Sequence, residues 1–364
     1  MKCITLSPTL SKIDSDIAKL TKICGLDQYL TPTNTDEQFK HRMESKGQIS
    51  PIFHHKRPDD NRFVQVQRSI DQLRSQLAAQ EWDVMIWLYL EKLNELSEKT
   101  LLLQSYTHQD TDGIFHYNQC LFGGRDHDTI HTLRTRLPPL VSTPKGAVLS
   151  YDAVVDVIQK KLLLLWYADC LIISNPQLLS RMAVRSSVYP PEIILNPHAK
   201  IFESDIDALL VHEIDTHVAR SIAWYHTGIQ LFHTGTGYYR HTEEGLAMYH
   251  ESLVMGWLPP KTSYHYIYLY EALQLDFVQA SQMILSLRGL SPTSHHLQRV
   301  FRVCKRIKRW VTDTSVVAPG LGCRRDKVYL EWYHQIISYL QSGWALKHLM
   351  YGKIKLSDLS VLLD

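Results

Sequence analysis

Two histidines and a glutamate stand together in Val211-His212-Glu213-Ile214-Asp215-Thr216-His217, and a pair of glutamates follows in Thr242-Glu243-Glu244-Gly245-Leu246-Ala247. These residue types can hold zinc. The ion takes neutral imidazoles and a carboxylate, and a catalytic site keeps one position open for water. His212 and His217 supply two ligands, and Glu244 or Glu243 can supply the third. Glu213, next to the first imidazole, can take a proton from the attacking water and return it to a leaving amine. The chemistry implied is metal-assisted hydrolysis.

The spacing is H-E-x-x-x-H rather than H-E-x-x-H. On a straight α-helix, residues five apart point about 140° away from each other, so the two imidazoles would diverge. A π-type turn brings them back to within about 50°. The spacing therefore predicts a widening or break of the helix across 214–216. In a chain with 19 histidines the same spacing also fits a solvated helix with two surface histidines.

The elements that must position these groups read as mainly helical. Leu10, Ile13, Ile17, Leu20 and Ile23 recur at helical spacing. A second helix starts at Thr35-Asp36-Glu37, a proline-bounded link runs over 51–60, and helices are expected at 63–80 and 82–105. Residues 113–124 read as strand and turn, and 151–166 as a helix burying Val154, Val155, Ile158, Leu162 and Leu165. Short strands are expected at 170–174, 182–187 and 192–196, bounded by prolines and asparagines. Ser204-Asp205-Ile206-Asp207 opens the helix that carries His212. Gly245 and Ala247 are small enough for the glutamate helix to approach that helix closely. Tyr264, Tyr266, Tyr268 and Tyr270 alternate like a strand, although a helical stretch follows; they are expected in core and rim packing. The one division offered is a helical N-terminal subdomain, 1–110, before a catalytic domain, 111–364.

The two motifs together resemble the bacterial QEGLA-motif proteins and their eukaryotic relatives, the microtubule-associated tyrosine carboxypeptidases. Further likeness lies in Pro32-Thr33-Asn34 with Phe39, Pro51-Ile52-Phe53, Leu121-Phe122-Gly123, Arg325-Asp326-Lys327-Val328-Tyr329-Leu330 and Leu349-Met350-Tyr351-Gly352-Lys353-Ile354. The resemblance implies Glu244 as third zinc ligand, Glu213 as catalytic base, and removal of a C-terminal residue, aromatic in the eukaryotic members. The chain departs from the pattern at Asp215, where relatives often carry glycine, at Glu243, where the motif has glutamine, and at Trp310, where glycine is expected.

A carboxypeptidase must grip a free carboxylate, and arginine matches that group bidentately. Arg299, Arg302, Arg306 and Arg309 recur along one helical face opposite Val300, Val303, Ile307 and Val311. The run reads either as an ordinary basic stripe or as a wall guiding a peptide C-terminus; Arg306 and Arg309 are the preferred substrate residues. Arg220 either reaches the substrate or braces the metal helix by pairing with Asp215 or another carboxylate. His233, Tyr238, Tyr239 and His241 are expected to pack in the connecting loop, with one of them available as an oxyanion donor.

A formal charge of +2 gives no global pull toward nucleic acid or membranes. Six cysteines (Cys3, Cys24, Cys120, Cys170, Cys304 and Cys323) show no CxxC spacing and read as a reduced, intracellular protein. The opening at Met1-Lys2-Cys3-Ile4 lacks a signal-peptide core, and no stretch is long and apolar enough for a span, so a cytoplasmic location without membrane insertion is expected. The expected fold is α+β: a mainly helical, zincin-like metallopeptidase with a small mixed sheet beside the metal-binding helix. In such folds an edge strand can bind extended substrate, and Ile193-Ile194-Leu195 is the expected edge. The expected function is a zinc carboxypeptidase acting on a peptide or protein tail. The alternatives are a zincin endopeptidase or aminopeptidase, or a metal-bound regulatory protein without turnover.

Overall fold

The computed structural model describes residues 5–26, 29, 31–57, 59–124, 126–136, 146–176, 178, 180–317 and 321–363. The opening at Met1-Lys2-Cys3-Ile4 and the proline at 58 lie outside them. Helices α1 (Pro8–Ile23), α2 (Thr35–Glu44), α3 (Asp60–Ala78), α4 (Val84–Thr107), α5 (Thr111–Phe122), α6 (His127–Arg136) and α7 (Tyr151–Leu164) precede three strands, β1 (Leu171–Ser174), β2 (Met182–Arg185) and β3 (Glu192–Leu195). Helix α8 (Glu203–His212) runs into a π segment, Glu213–Val218, and on into α9 (Ala219–Ala223). Helices α10 (Gln230–Thr234), α11 (Tyr239–Met255), α12 (Pro260–Ala272), α13 (Phe277–Leu287), α14 (Ser294–Ile307), α15 (Val328–Gln341) and α16 (Leu356–Leu363) complete the chain. The mainly helical architecture with one small mixed sheet is the expected fold class.

The sheet has the order β1-β3-β2, with β1 parallel and β2 antiparallel to β3. Ile193 and Leu195 point inward with Met182 and join Val154, Ile158, Leu162, Leu209, Leu210, Ile214 and Val218 in one apolar cluster. This cluster seats the helix that carries His212 on the sheet. The sequence placed the sheet edge at Ile193-Ile194-Leu195; that segment is the central strand, and the edges are β1 and β2. Both backbone edges of that strand are paired, so it has none to offer an added strand.

Residues 113–122 are helix, not strand and turn, and Gly123 at φ 81° ends it. Asp110 caps the helix by accepting from Gly113 N, and Ile114, Asn118 and Leu121 are buried at helical spacing. The alternating tyrosines belong to α12, which is buried on nearly all sides, so no polar face marks its period. The expectation that they pack in the core holds.

A second cluster gathers side chains from α1, α3 and α4 with Trp224, Phe232, Leu246, Ile336, Leu349 and Leu359, so both sides of residue 110 build it. Buried Asp14 of α1 accepts from Gln230 N and Leu231 N, capping α10 across the chain. Its burial raises its pKa, and the two backbone donors oppose that shift.

Candidate metal centre

The site is built on the irregular stretch after α8. Ile214 and Val218, one helical turn apart and fully buried, anchor the π segment in the sheet-side cluster. Thr216 faces the other way. Its hydroxyl donates to the carbonyl of Val211, five residues back, at 3.0 Å and sits 2.7 Å from His250 Nδ1 on α11. The hydroxyl proton is already used, so the imidazole is the donor in the second contact. The widened turn is thus tied inside and out. It occurs where the H-E-x-x-x-H spacing requires it, and the two imidazole rings converge with centroids 5.2 Å apart.

Glu244 on α11 completes the cluster. Its Oε2 lies 3.9 Å from His212 Nε2 and 4.0 Å from His217 Nε2. One ligand atom from each of the three residues lies within 4.8 Å of the others. A tetrahedral zinc with bonds of about 2.0–2.1 Å spaces its ligands by roughly 3.3 Å. Glu244 therefore needs to draw in by roughly 0.6–0.7 Å toward each imidazole, and the widest pair of donors by no more than about 1.5 Å. Two neutral imidazoles and a carboxylate suit zinc, and all three residues are half-buried.

Glu213 is buried beside the imidazoles. Burial raises its pKa; the two imidazoles lower it, while Glu244 and Glu251 push it further up. A carboxyl whose pKa is raised holds a transferred proton better than an exposed glutamate does.

In the outer layer of the site, sequence reasoning named Glu243 only as an alternative ligand and missed Glu251 and His250. Glu251 Oε1 lies 2.8 Å from His212 Nδ1, and Glu243 Oε2 lies 3.6 Å from His217 Nδ1. Glu251 stands seven residues after Glu244, which returns it to the same helix face. That spacing is the signal that could have found it. His250, pinned to Thr216, carried no such signal. Burial lowers its pKa to about 4, against the pull of Asp215.

Other expected residues lie elsewhere. Arg220 is fully buried and does not line a cleft. Its guanidinium donates to the carbonyls of Gly352 and Ile354 at 2.9 and 2.7 Å and lies 3.9 Å from Glu243. It braces the metal segment against the C-terminal strap, because a buried cation needs that many acceptors. Its partner is not Asp215, which pairs with Lys161 at 2.8 Å. The close approach of Gly245 is not to α8: a Cβ there would come within 2.5 Å of the Trp332 backbone, so the glycine lets α15 pack on α11.

Arg306 is the anchored member of the basic run. Its Nε donates to Asp326 at 2.8 Å, its Nη2 to Tyr329 Oη at 3.4 Å, and its side chain stays 41% exposed. Arg309 lies just beyond α14, half-buried, while Arg299 and Arg302 are exposed on that helix. The four residues expected in the connecting loop pack as expected, but on helices: His233 of α10 stacks on Trp224 and meets Ser186 O, Tyr238 at the start of α11 donates to Glu98, and on α11 Tyr239 is buried and His241 lies against Trp332.

The family model described as microtubule-associated tyrosine carboxypeptidase (MATCAP) matches residues 37–364. The chain belongs to this family. It is therefore an enzyme of carboxypeptidase type, with the His212, His217 and Glu244 cluster as its possible metal site. The match covers both motifs and the C-terminal elements around Tyr329 and Gly352. No curated protein matches the chain. Among the described residues no helix is long and apolar enough to cross a membrane.

Proposed function

We propose that the chain is a zinc-dependent carboxypeptidase that removes one C-terminal residue, aromatic in preference, from a peptide or protein tail. The observation that carries this reading is the convergence of His212, His217 and Glu244 with Glu213 buried beside them. His212, His217 and Glu244 would hold the ion. Zinc at this position supplies a Lewis acid that polarises the scissile carbonyl and makes water acidic enough to attack near neutral pH.

Glu213 takes the proton of the attacking water and passes it to the nitrogen of the departing residue. Its raised pKa favours that return delivery. Arg306 receives the terminal carboxylate. Asp326 fixes its Nε and Tyr329 accepts from Nη2, and the exposed part of the guanidinium meets the substrate. Arg309, on the same run, adds to the field that draws the carboxylate in. Tyr329 lies against the Arg306 guanidinium; burial raises its pKa and Glu244 raises it further, which places the tyrosine between Arg306 and the metal residues. The substrate backbone would add to β2, the antiparallel edge strand, which packs beside the π segment. A cytoplasmic setting is supported by the unpaired Cys24, Cys120, Cys170, Cys304 and Cys323.

A matched pair of peptides ending in tyrosine, one with a free C-terminus and one amidated, tests the reading. Release of tyrosine from the free form alone is expected. Cleavage of both forms would point to an endopeptidase, and cleavage of neither, with zinc bound, to a regulatory protein.

A further inference from the structure

Both imidazoles turn Nε2 toward Glu244 and Nδ1 toward a different carboxylate. His212 Nδ1 is 2.8 Å from Glu251 Oε1, and His217 Nδ1 is 3.6 Å from Glu243 Oε2. Glu243, Glu244 and Glu251 all stand on α11. Glu243 and Glu251 are buried, and each meets a cation on its far side: Arg220 at 3.9 Å from Glu243, Lys261 at 3.3 Å from Glu251. Neither carboxylate is placed to serve as one of the three converging ligands.

We propose that Glu251 and Glu243 are positioning residues that hold the two imidazoles for one metal ion by accepting their Nδ1–H groups. An imidazole can ligate through either nitrogen. A carboxylate on Nδ1 fixes the tautomer, fixes the ring plane, and makes Nε2 a stronger donor. The two contacts are unequal. Glu251 stands 2.8 Å from the His212 ring, whereas Glu243 stands farther from His217, at 3.6 Å. Glu243 occupies the place of the glutamine in the related motif. An amide oxygen there could accept the same Nδ1–H but would bring no charge, so Glu243 gives this chain a stronger donor at His217. This inference rests on the metal reading of the site and not on the peptidase reading.

The test is zinc affinity, measured by competition with a chromophoric chelator on the metal-free full chain. The variants are Glu251→Ala, Glu251→Gln, Glu243→Ala and Glu243→Gln, and the visible spectrum of the cobalt(II) form is recorded for each. Loss of an outer-layer partner typically weakens metal binding by about 10–100-fold. Glu251→Ala is expected to reach that range and to shift the cobalt bands, with Glu251→Gln regaining much of the loss through its amide oxygen. Glu243→Ala is expected to lose less, and Glu243→Gln to lie between it and the parent. Alanine variants that bind zinc within about twofold of the parent, with unchanged cobalt spectra, would overturn the proposal. So would weakened binding that glutamine does not rescue and that tracks a lower melting temperature of the metal-free protein. Failure of the parent to bind zinc would overturn it together with the metal site. Tight zinc binding without peptide turnover would leave it standing and sink only the peptidase reading.

Discussion

The π segment and helix α14 both carry charged or ligating residues at regular-looking intervals, yet they differ in how chemistry is written into them. On α14 the arginines follow an undisturbed helical period, with Val300, Phe301, Cys304 and Ile307 buried beneath them. Regularity there satisfies the core, and the stripe says little about function; only Arg306 is singled out by a partner, Asp326. Between His212 and His217 the period is broken. The break is the informative feature, because a five-residue separation brings two side chains together only when the helix widens. A departure from periodicity that two anchors, Ile214 and Thr216, hold in place marks a site more reliably than a periodic stripe.

The largest effect should come from the irregular segment. Glu213→Gln keeps the shape of the side chain and removes the base, so kcat should fall by about two to four orders of magnitude with zinc content unchanged. Steady-state kinetics beside metal analysis checks this, and a variant with full kcat would remove Glu213 from its role. On α14 the effect should be smaller and confined to one residue. Arg306→Ala should raise KM for a free-C-terminus peptide by roughly tenfold or more, the scale of a lost charge-assisted bond, while Arg302→Ala changes little. Equal effects at both positions would mean that the stripe acts as a diffuse field.

Gly245→Ala probes the packing beneath the site. Its new Cβ would meet the Trp332 backbone. Overpacking of this kind costs about 1–3 kcal/mol, more than the helix propensity gained. Thermal unfolding should show a melting temperature a few degrees lower, and an unchanged or higher value would contradict the tight α11–α15 contact.

A further test concerns pH. Burial holds His233, His241, His250 and His265 near pKa 4 in the folded chain, below the ordinary value of 6.5. The unfolded chain binds these protons first as pH falls, so their contribution to stability is present above 6.5 and is lost between 6.5 and 4. Melting temperature measured across that range should decline, and a flat profile would contradict the burial of these rings.

The sequence made the metal centre legible through spacing: a strained H-E-x-x-x-H demanded a widened turn, and Glu244 followed from the resemblance. Glu251 was readable in principle at seven residues from Glu244. His250 and Thr216 were not, because their contact is made between two helices and leaves no pattern along either one. The fold was legible where one face is buried, as in α1 and α7. It was misread at α12, where burial on nearly every side erases the period, and at 113–124, where glycines suggested a turn that Asp110 instead caps as a helix. Arg220, close to His217 along the chain, reads either as a substrate residue or as a brace to the metal helix through a carboxylate; it braces, beside Glu243. Its acceptors at Gly352 and Ile354 come from more than 130 residues away, beyond the reach of local reading.

The most direct test of the account is the metal content of the purified full chain beside His212→Ala and Glu244→Ala. About one zinc per chain in the parent, falling sharply in both variants while each stays folded by circular dichroism, is the predicted result. A folded parent without stoichiometric metal, or variants that keep it, would contradict the site.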